Sequence, residues 1–226
     1  MQTISRRSVL IGIAGTLPVV GGATIAHGLE NCPHNDMPPG TCSAMIDPAR
    51  FLAEQTYQQQ TLSQWCWAAC ISMICRWHRF PMSQARIVNE VYRGLVNMPA
   101  DERVLTTSLN TVWRADDGRR FRISAREFSP ALNRSDVENR DIIDDLKNDR
   151  PLLCGARSHA TVVARFDYRP RGPGGHPVPL RVHVIDPYPG AASPPYFARF
   201  LQPDEMVRVT SGGAFRYLAS IRVAPA

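Results

Sequence analysis

The chain has 226 residues, of which 44% are hydrophobic, and a formal net charge of +6. This length and composition provide enough apolar surface for a core of ordinary size, which excludes a disulfide-held miniprotein and a disordered tail. Six cysteines are too few for a disulfide-dense scaffold and match no paired CxxC zinc pattern, and without a long Lys/Arg run the charge does not indicate a nucleic-acid partner.

Residues 1–28 have the features of a twin-arginine export signal. Arg6 and Arg7 precede an apolar run that glycine and proline interrupt, and small residues follow it. The run only approaches the ~20 residues needed to span a bilayer, so a membrane anchor is the less favoured interpretation. We therefore expect an exported protein, periplasmic or secreted, with no stable membrane insertion after signal removal. Removing the signal deletes two arginines and lowers the net charge to +4.

Residues 29–50 are rich in proline and glycine, which predicts a surface strap with little regular structure. Cys32 and Cys42 lie within it, ten residues apart. Because an exported protein enters an oxidising compartment, we expect these two cysteines to form a structural disulfide. The remaining residues, 51–226, are predicted to form one domain.

A helix is predicted to begin near Cys66, because apolar residues recur after it at three- and four-residue spacing. Ser63 is in position to cap its amino terminus. Cys66 then lies in the first turn, where unpaired N–H groups and the helix dipole favour a thiolate, the form that a nucleophilic cysteine requires.

The other cysteines of this helix, Cys70 and Cys75, are interpreted as small buried hydrophobic residues. A zinc site formed by these three cysteines and His78 is disfavoured, because their spacing spreads the side chains around the helix. We therefore expect no metal and no cofactor. His78 itself is better explained as a cation that complements the dipole at the end of the helix.

Further helices are predicted over residues 82–93 and 104–113, followed by a short strand over 120–125. Another helix is expected over 135–147, capped by Ser135 and Asp136. A closing strand is expected over 215–223. Helices thus come first and strands later, which predicts an α+β fold.

Two strands in the second half of the chain carry the partners for Cys66. His159 opens a Val-rich strand immediately after the strand that begins at Pro151, and Asp186 ends the strand that follows. A thiolate, an imidazole and a polar group that orients the ring are the groups that covalent acyl transfer needs. His176 and His183 are second-choice bases, since the first lies in a Pro/Gly-rich connection and the second in mid-strand.

These motifs together resemble a papain-like cysteine peptidase. Gln60 lies six residues before Cys66 in a Trp-Cys-Trp-Ala-Ala context, His159 heads its strand, and Asp186 begins Asp-Pro-Tyr-Pro-Gly. The chain is most similar to the compact bacterial branch, which includes effector proteases of plant pathogens and, more distantly, bacteriocin-processing peptidases. The resemblance spans about residues 60–190. It implies that the Gln60 side chain and the Cys66 N–H form the oxyanion hole.

The sequence departs from the mainstream papain group at three points. Cys66 and His159 are 93 residues apart, against the ~130–150 of the papain signature, and the flanks of Cys66 lack its Cys-Gly-Ser/Ala-Cys pattern. The third catalytic residue is Asp186 rather than an asparagine. A carboxylate can still hold the ring, and it favours the imidazolium form more strongly.

We therefore expect a papain-like α+β fold in which a helical subdomain carrying Cys66 packs against an antiparallel sheet carrying His159. The expected function is hydrolysis of peptide bonds in a peptide or protein substrate, with Asp186 and Gln60 completing the site. Two alternatives stay open: an amidase or acyltransferase with the same triad, and a non-catalytic binding protein in which Cys66 pairs with Cys70. Substrate specificity and oligomeric state do not follow from the sequence.

Overall fold

The computed structural model describes residues 28–32, 38–47, 50–51, 56–172, 175–188 and 198–226. The expected export signal therefore lies outside the described residues except for Gly28. Pro189 and Gly190, which end the Asp-Pro-Tyr-Pro-Gly segment, lie outside them too. Within the described part, no helix combines the length and apolar character that crossing a membrane requires.

Four α-helices have both of their ends within the described part of the chain. They are α1 (Cys66–Trp77), α2 (Gln84–Tyr92), α3 (Glu102–Ser108) and α4 (Asn139–Lys147). Almost every side chain of α1 is buried, since this helix packs against strands of the sheet and against α2. The helix predicted to begin near Cys66 is therefore confirmed, and the structure shows in addition that it is largely buried.

The strands of the described part form one sheet in which every ladder between strands is antiparallel. They are β1 (Leu29–Asn31), β2 (Cys42–Met45), β3 (Val112–Arg114), β4 (Arg120–Ser129), β5 (Arg134–Ser135), β6 (Leu152–Ala156), β7 (His159–Arg169), β8 (Val178–Ile185), β9 (Ala198–Phe200) and β10 (Phe215–Pro225). The strand order is β1-β2-β7-β6-β10-β4-β3, with β5 beside β4, β8 beside β7, and β9 beside β8. The predicted α+β class is confirmed.

Strand β7 organises the part of the sheet that carries the candidate site. Its first half pairs with β6, its second half pairs with β2, and β8 also pairs with it. Helix α1 packs on β7 and β6. One strand therefore connects α1, which carries Cys66, to the hairpins that position His159 and Asp186.

The start of α1 is correctly predicted, but its cap is not. Trp65 occupies the N-cap position and makes no side-chain capping bond. The Ser63 hydroxyl instead accepts a hydrogen bond from Asn97 Nδ2 at 2.9 Å. A contact with a distant loop has replaced the local cap, so the residue at the N-cap gives the first turn of the helix no side-chain acceptor.

Two later helices are shorter than predicted. The helix expected over 104–113 ends at Ser108, and the chain continues into β3. The helix expected over 135–147 begins at Asn139, because Ser135 is taken into β5 and a capping box between Glu138 and Asp141 starts the helix instead. Pairing with β4 has overridden the local helix signals in both places.

The segment predicted as an irregular strap contributes to the sheet. Strand β2 pairs with β7 and places Ser43 and Ala44 in the core, while β1 covers the outer edge of β2. The disulfide between Cys32 and Cys42 is confirmed. It closes the connection between these two strands, so the expected structural role of this pair also fits its position.

Candidate active site

Cys66 is the first residue of α1, where unpaired N–H groups and the positive end of the helix dipole stabilise negative charge. The flanking indoles anchor this end of the helix. Trp65 Nε1 donates to the Val96 carbonyl at 2.8 Å, and Trp67 Nε1 donates to the Met98 carbonyl at 3.1 Å. Both tryptophans are buried, whereas Cys66 is partly exposed. The thiol is held in place and remains accessible.

His159 begins β7 directly after a two-residue hairpin turn. Arg157 and Ser158 form this turn with φ values of 50° and 61°, and the register pairs Ala156 with His159. Positive φ at both central positions matches the twist of the flanking strands, although Gly or Asn usually occupies such positions. The hairpin therefore sets the position of the imidazole through backbone geometry.

The structure brings three of the predicted site residues together. The His159 imidazole lies close enough to the Cys66 sulfur for the two groups to shift each other's pKa, and its Nε2 atom lies 2.6 Å from Asp186 Oδ1. Because Nε2 faces the carboxylate, Nδ1 is the ring nitrogen left for the sulfur. The Tyr188 ring meets the imidazole edge-on, with 6.4 Å between the ring centroids. Cys66, His159 and Asp186 thus form one continuous chain of contacts.

Asp186 is a buried carboxylate at the end of β8 with further hydrogen bonds. Oδ1 also accepts from the Tyr188 N–H at 2.9 Å, and Oδ2 accepts from Arg199 Nε at 2.8 Å. The Asp186 backbone carbonyl accepts from the Tyr57 hydroxyl at 3.2 Å. The carboxylate is fixed on both oxygens, so the imidazole that it contacts has a defined orientation.

The electrostatics of this chain of contacts favour an ion pair. Burial alone would raise the pKa of the Cys66 thiol, but hydrogen bonds from His159 and from the N–H groups of Ala160 and Trp67 bring it below its usual value. Burial alone would lower the pKa of His159, but its bonds with Asp186 and Cys66 raise that pKa to about 9. At neutral pH these shifts favour a thiolate beside an imidazolium.

The remaining free cysteines lie in environments of the opposite kind. Burial raises the pKa of Cys70 and Cys75, and it raises the pKa of Cys154 to about 12. All three are fully buried thiols. Cys66 and Cys70 are both free in this structure rather than joined in a disulfide.

None of the other candidate histidines that the structure describes approaches Cys66 in this way. Burial and the nearby arginines lower the pKa of His78 to about 4. His78 is therefore neutral at pH 7, and the predicted cationic role at the helix end is wrong. His183 stacks on Phe200 with 4.8 Å between ring centroids, and His176 forms an exposed pair with Glu138.

Gln60 is buried, but its side chain is engaged with the turn that precedes α1. Its Nε2 donates to the carbonyls of Leu62 and Ser63, at 3.1 and 3.0 Å. Its Oε1 is buried and accepts no hydrogen bond among the described residues. The Gln60 backbone N–H donates to the Pro187 carbonyl at 2.8 Å. The residue therefore joins the segment before Cys66 to the loop that carries Asp186.

A cavity of about 360 Å³ lies beside Cys66 and His159. Its walls combine apolar side chains with a few charged ones, which is typical of a site that binds part of a larger ligand. The lining includes Trp67, Leu105, Tyr217, Asp101, Glu102 and Arg216. A larger cavity of about 540 Å³ is lined by residues of several strands and of α4, and neither Cys66 nor His159 lines it.

Sequence reasoning missed the charged residues behind Asp186. Arg199 lies on the short strand β9, and it contacts both Asp186 and Glu205. A single arginine in a three-residue strand carries no motif, so no pattern in the sequence distinguishes it from the many other arginines. The strand pairing between β8 and β9 is what brings it to the carboxylate.

The chain was compared with known proteins. A search of curated proteins found no match, and neither did a search of solved structures. A family model described as papain-like cysteine protease AvrRpt2 matches residues 52–202, a range that contains Gln60, Cys66, His159 and Asp186. This match confirms the papain-like resemblance and implies a protein substrate. Since it covers more than half of the chain, the protein belongs to the papain-like cysteine protease AvrRpt2 family and is a cysteine-type peptidase, a hydrolase.

Proposed function

We propose that this protein hydrolyses peptide bonds through a catalytic triad of Cys66, His159 and Asp186. The observation that carries this proposal is the continuous contact from sulfur to imidazole to carboxylate, together with a lowered thiol pKa and a raised imidazole pKa. Perturbation in these directions at adjacent groups in a cleft is what a nucleophile and its acid–base partner require.

The proposed reaction has two halves. The Cys66 thiolate attacks the carbonyl carbon of the scissile bond, and a C–S bond forms. The His159 imidazolium then gives its proton to the leaving nitrogen as the C–N bond breaks, which releases an amine and leaves a thioester. Neutral His159 next takes a proton from water, whose oxygen attacks the thioester. The C–S bond breaks, and the thiolate and imidazolium are restored.

Each half passes through a tetrahedral oxyanion, which needs preorganised donors. We assign this role to the backbone N–H of Cys66, one of the first N–H groups of α1, and to the Gln60 amide. Both amide hydrogens of Gln60 point at the Leu62 and Ser63 carbonyls in the structure. Gln60 must therefore redirect one hydrogen to the oxyanion when substrate binds, as catalytic hydrogen bonds often tighten only in the complex.

The proposed architecture is the papain-like one, with a substrate cleft between the helices and the sheet. Its support is that the nucleophile comes from α1 while the base and the orienting acid come from β7 and from the end of β8. The cavity beside Cys66 has room for a side chain of an extended polypeptide. We propose a peptide or protein substrate that lies along this cleft, and no metal or cofactor takes part.

We also propose that the protein is exported, with residues 1–28 as a twin-arginine signal, and that it acts in the periplasm or outside the cell. The disulfide between Cys32 and Cys42 supports this proposal, because such bonds persist in oxidising compartments. Replacing Arg6 and Arg7 by lysine should keep the precursor in the cytoplasm, as fractionation and immunoblotting would measure. Unchanged export of that variant would exclude the twin-arginine route.

The decisive experiment compares Cys66→Ala with the matched control Cys70→Ala. Both proteins are incubated with a peptide library, and the new amino termini are counted by mass spectrometry. We expect the wild type and Cys70→Ala to cleave peptides and Cys66→Ala to be inactive with an unchanged circular dichroism spectrum. Cleavage by Cys66→Ala would refute the triad. Transfer of acyl groups to added amines without hydrolysis would favour the acyltransferase alternative, and no turnover by the wild type would favour a binding protein.

A further inference from the structure

A second layer of charged groups lies behind the pair formed by His159 and Asp186. Arg199 donates from Nε to Asp186 Oδ2 at 2.8 Å, and its two terminal nitrogens donate to the two oxygens of Glu205 at 2.7 and 3.0 Å. Asp186 and Glu205 are both buried, with exposed fractions of 4% and 3%. One guanidinium therefore bridges two buried carboxylates, and the first of them contacts the catalytic imidazole.

Glu205 is itself fixed by the turn in which it lies. It belongs to the 3₁₀ turn Pro203–Met206, and its Oε2 accepts the backbone N–H of Gln202 at 2.7 Å. The Glu205 N–H in turn donates to the Gln202 carbonyl at 3.0 Å. A buried carboxylate with these contacts has little rotational freedom, so it holds the guanidinium of Arg199 in one place.

We propose that Arg199, held in place by Glu205, is a positioning residue for the catalytic triad. It fixes the Asp186 carboxylate so that Oδ1 faces His159, and its charge partly offsets the carboxylate charge on the imidazole. This inference rests on the proposed function, because it assigns a role within the same triad. It also explains how an aspartate can be the third residue of the triad. A buried carboxylate requires a charged partner, and Arg199 is the charged partner of Asp186.

The geometry explains why an arginine is needed. Without Arg199, Asp186 would keep its two contacts on Oδ1, from His159 and from the Tyr188 N–H, and would have none on Oδ2 from a charged group. The planar fork of arginine presents several donors in fixed directions and can serve two carboxylates at once. Lysine is a flexible point charge, so Arg199→Lys should restore the charge but only part of the orientation.

The charges of this layer have opposite effects on the proton affinity of His159. Positive Arg199 opposes protonation of the imidazole, and negative Glu205 weakens that effect because it neutralises Arg199. Other titratable groups near the layer are the same in each variant and do not alter this comparison. They are Cys66 of α1, Cys70 of α1, Tyr57 before α1, Tyr188 after β8, Cys154 of β6 and Arg157 of the β6–β7 turn.

The test measures the pH dependence of two rates in Arg199→Gln, Glu205→Gln and Arg199→Lys. One rate is kcat/KM for a cleaved library peptide, and the other is alkylation of Cys66 by iodoacetamide, which needs no substrate. Asp204→Asn is the matched control, since it removes the neighbouring charge that forms an exposed pair with Arg157.

We expect Arg199→Gln to lower kcat about tenfold to a hundredfold, the usual cost of a misplaced catalytic group. The alkaline limb of the pH–rate profile of this variant, where His159 loses its proton, should move to higher pH by roughly one unit. Glu205→Gln should move the alkaline limb to lower pH by a smaller amount, because the Glu205 charge is farther from the His159 ring than the Arg199 charge is. Arg199→Lys should recover part of kcat, and Asp204→Asn should behave as the wild type.

Movement of the limb in the same direction in Arg199→Gln and Glu205→Gln, or wild-type kcat in Arg199→Gln, would overturn the proposal. Glu205→Gln preserves the shape of the side chain and tests the proposal by itself if Arg199→Gln fails to fold. An alkaline limb that stays in place or moves to higher pH in Glu205→Gln would then overturn the proposal. Failure of the proposed function is a separate result, because it would appear as cleavage by Cys66→Ala. The alkylation profile reports the Cys66 and His159 pair whether or not a peptide is cleaved.

Discussion

The His159 Nε2 atom lies 2.6 Å from Asp186 Oδ1, although the two residues are 27 positions apart in the chain. The β7–β8 hairpin brings them together, because Val162 at the start of β7 pairs with Ile185 at the end of β8. This contact orients the ring toward Cys66 and stabilises its protonated form. The chemical character of the site therefore depends on a strand register.

Reactivity toward an alkylating agent should distinguish Cys66 from every other free cysteine. We expect iodoacetamide at neutral pH to label Cys66 first, since its thiol is partly exposed and has a lowered pKa. Cys70, Cys75 and Cys154 should react only after unfolding, because burial raises their pKa values. Peptide mapping by mass spectrometry measures the labelling. Equal labelling of Cys66 and Cys70 in the folded protein would contradict this assignment.

The pH profile of peptide cleavage should be bell-shaped. Activity rises as Cys66 loses its proton, at a pH below the usual thiol range, and it falls as His159 loses its proton near pH 9. Asp186→Asn removes the carboxylate that raises the His159 pKa, so its alkaline limb should move toward the ordinary value of about 6.5. The measurement is kcat/KM across the pH range.

The matched control for this profile is His176→Gln. His176 is exposed and pairs with Glu138 at 3.4 Å, on a connection far along the chain from Cys66. Its removal should leave both limbs of the profile unchanged. An alkaline limb that followed His176 instead of Asp186 would show that His159 is not the group that titrates.

Gln60→Ala should separate stabilisation of the oxyanion from formation of the ion pair. Loss of one oxyanion donor costs roughly 10²–10³ in kcat. Alkylation of Cys66 passes through no oxyanion, so its rate should stay close to that of the wild type. Gln59→Ala is the control, since this neighbouring side chain is exposed.

The same pair of measurements can contradict the role assigned to Gln60. The Gln60 amide also holds the turn before α1 through the Leu62 and Ser63 carbonyls. If the substitution mainly displaces that turn, alkylation and kcat should fall together. If kcat is unchanged, Gln60 is not an oxyanion donor.

Asp145 is predicted to be important for stability and not for catalysis. Its carboxylate is buried in α4, where it accepts hydrogen bonds from Arg150 Nε at 3.0 Å and from the Ser220 hydroxyl and forms an ion pair with Arg222 Nη1 at 2.8 Å. Asp145→Ala should lower the free energy of unfolding by about 3 kcal/mol, the low end for a broken buried pair, because both arginines reach solvent.

Urea denaturation measures this change. The exposed neighbour Asp144 provides the control, since Asp144→Ala should alter the free energy of unfolding by less than about 0.5 kcal/mol. A change in Asp145→Ala no larger than in Asp144→Ala would show that the buried network contributes little.

The features that sequence predicted well are those that short-range patterns encode. The apolar period after Cys66 gives α1, and alternation around His159 gives β7, since side chains of helices and strands repeat every 3.6 and 2 residues. The helix start explains only the part of the lowered Cys66 pKa that comes from the N–H of Trp67 in the same turn, since His159 and Ala160 reach the thiol from β7. The pairing of Cys32 with Cys42 followed from their proximity in the chain.

Local signals failed wherever a distant segment competed for the same residues. Ser63 has the chemistry of a helix cap, but Asn97 occupies its hydroxyl. Ser135 has the same chemistry, but β4 takes it into the sheet. His78 lies where a cation would be favourable, but burial and, to a smaller extent, the nearby arginines lower its pKa and keep it neutral. In each case the free energy of a long-range contact exceeded a local preference.

The sequence by itself determined the chemical groups of the site and the local elements that carry Cys66, His159 and Asp186. Only the tertiary structure decided how those groups are charged and oriented. The bridge from Asp186 through Arg199 to Glu205 joins the ends of separate strands and a turn, and the hydrogen bonds of Gln60 depend on the loop around it. Burial and hydrogen bonding set a pKa, and both depend on which distant segments pack together.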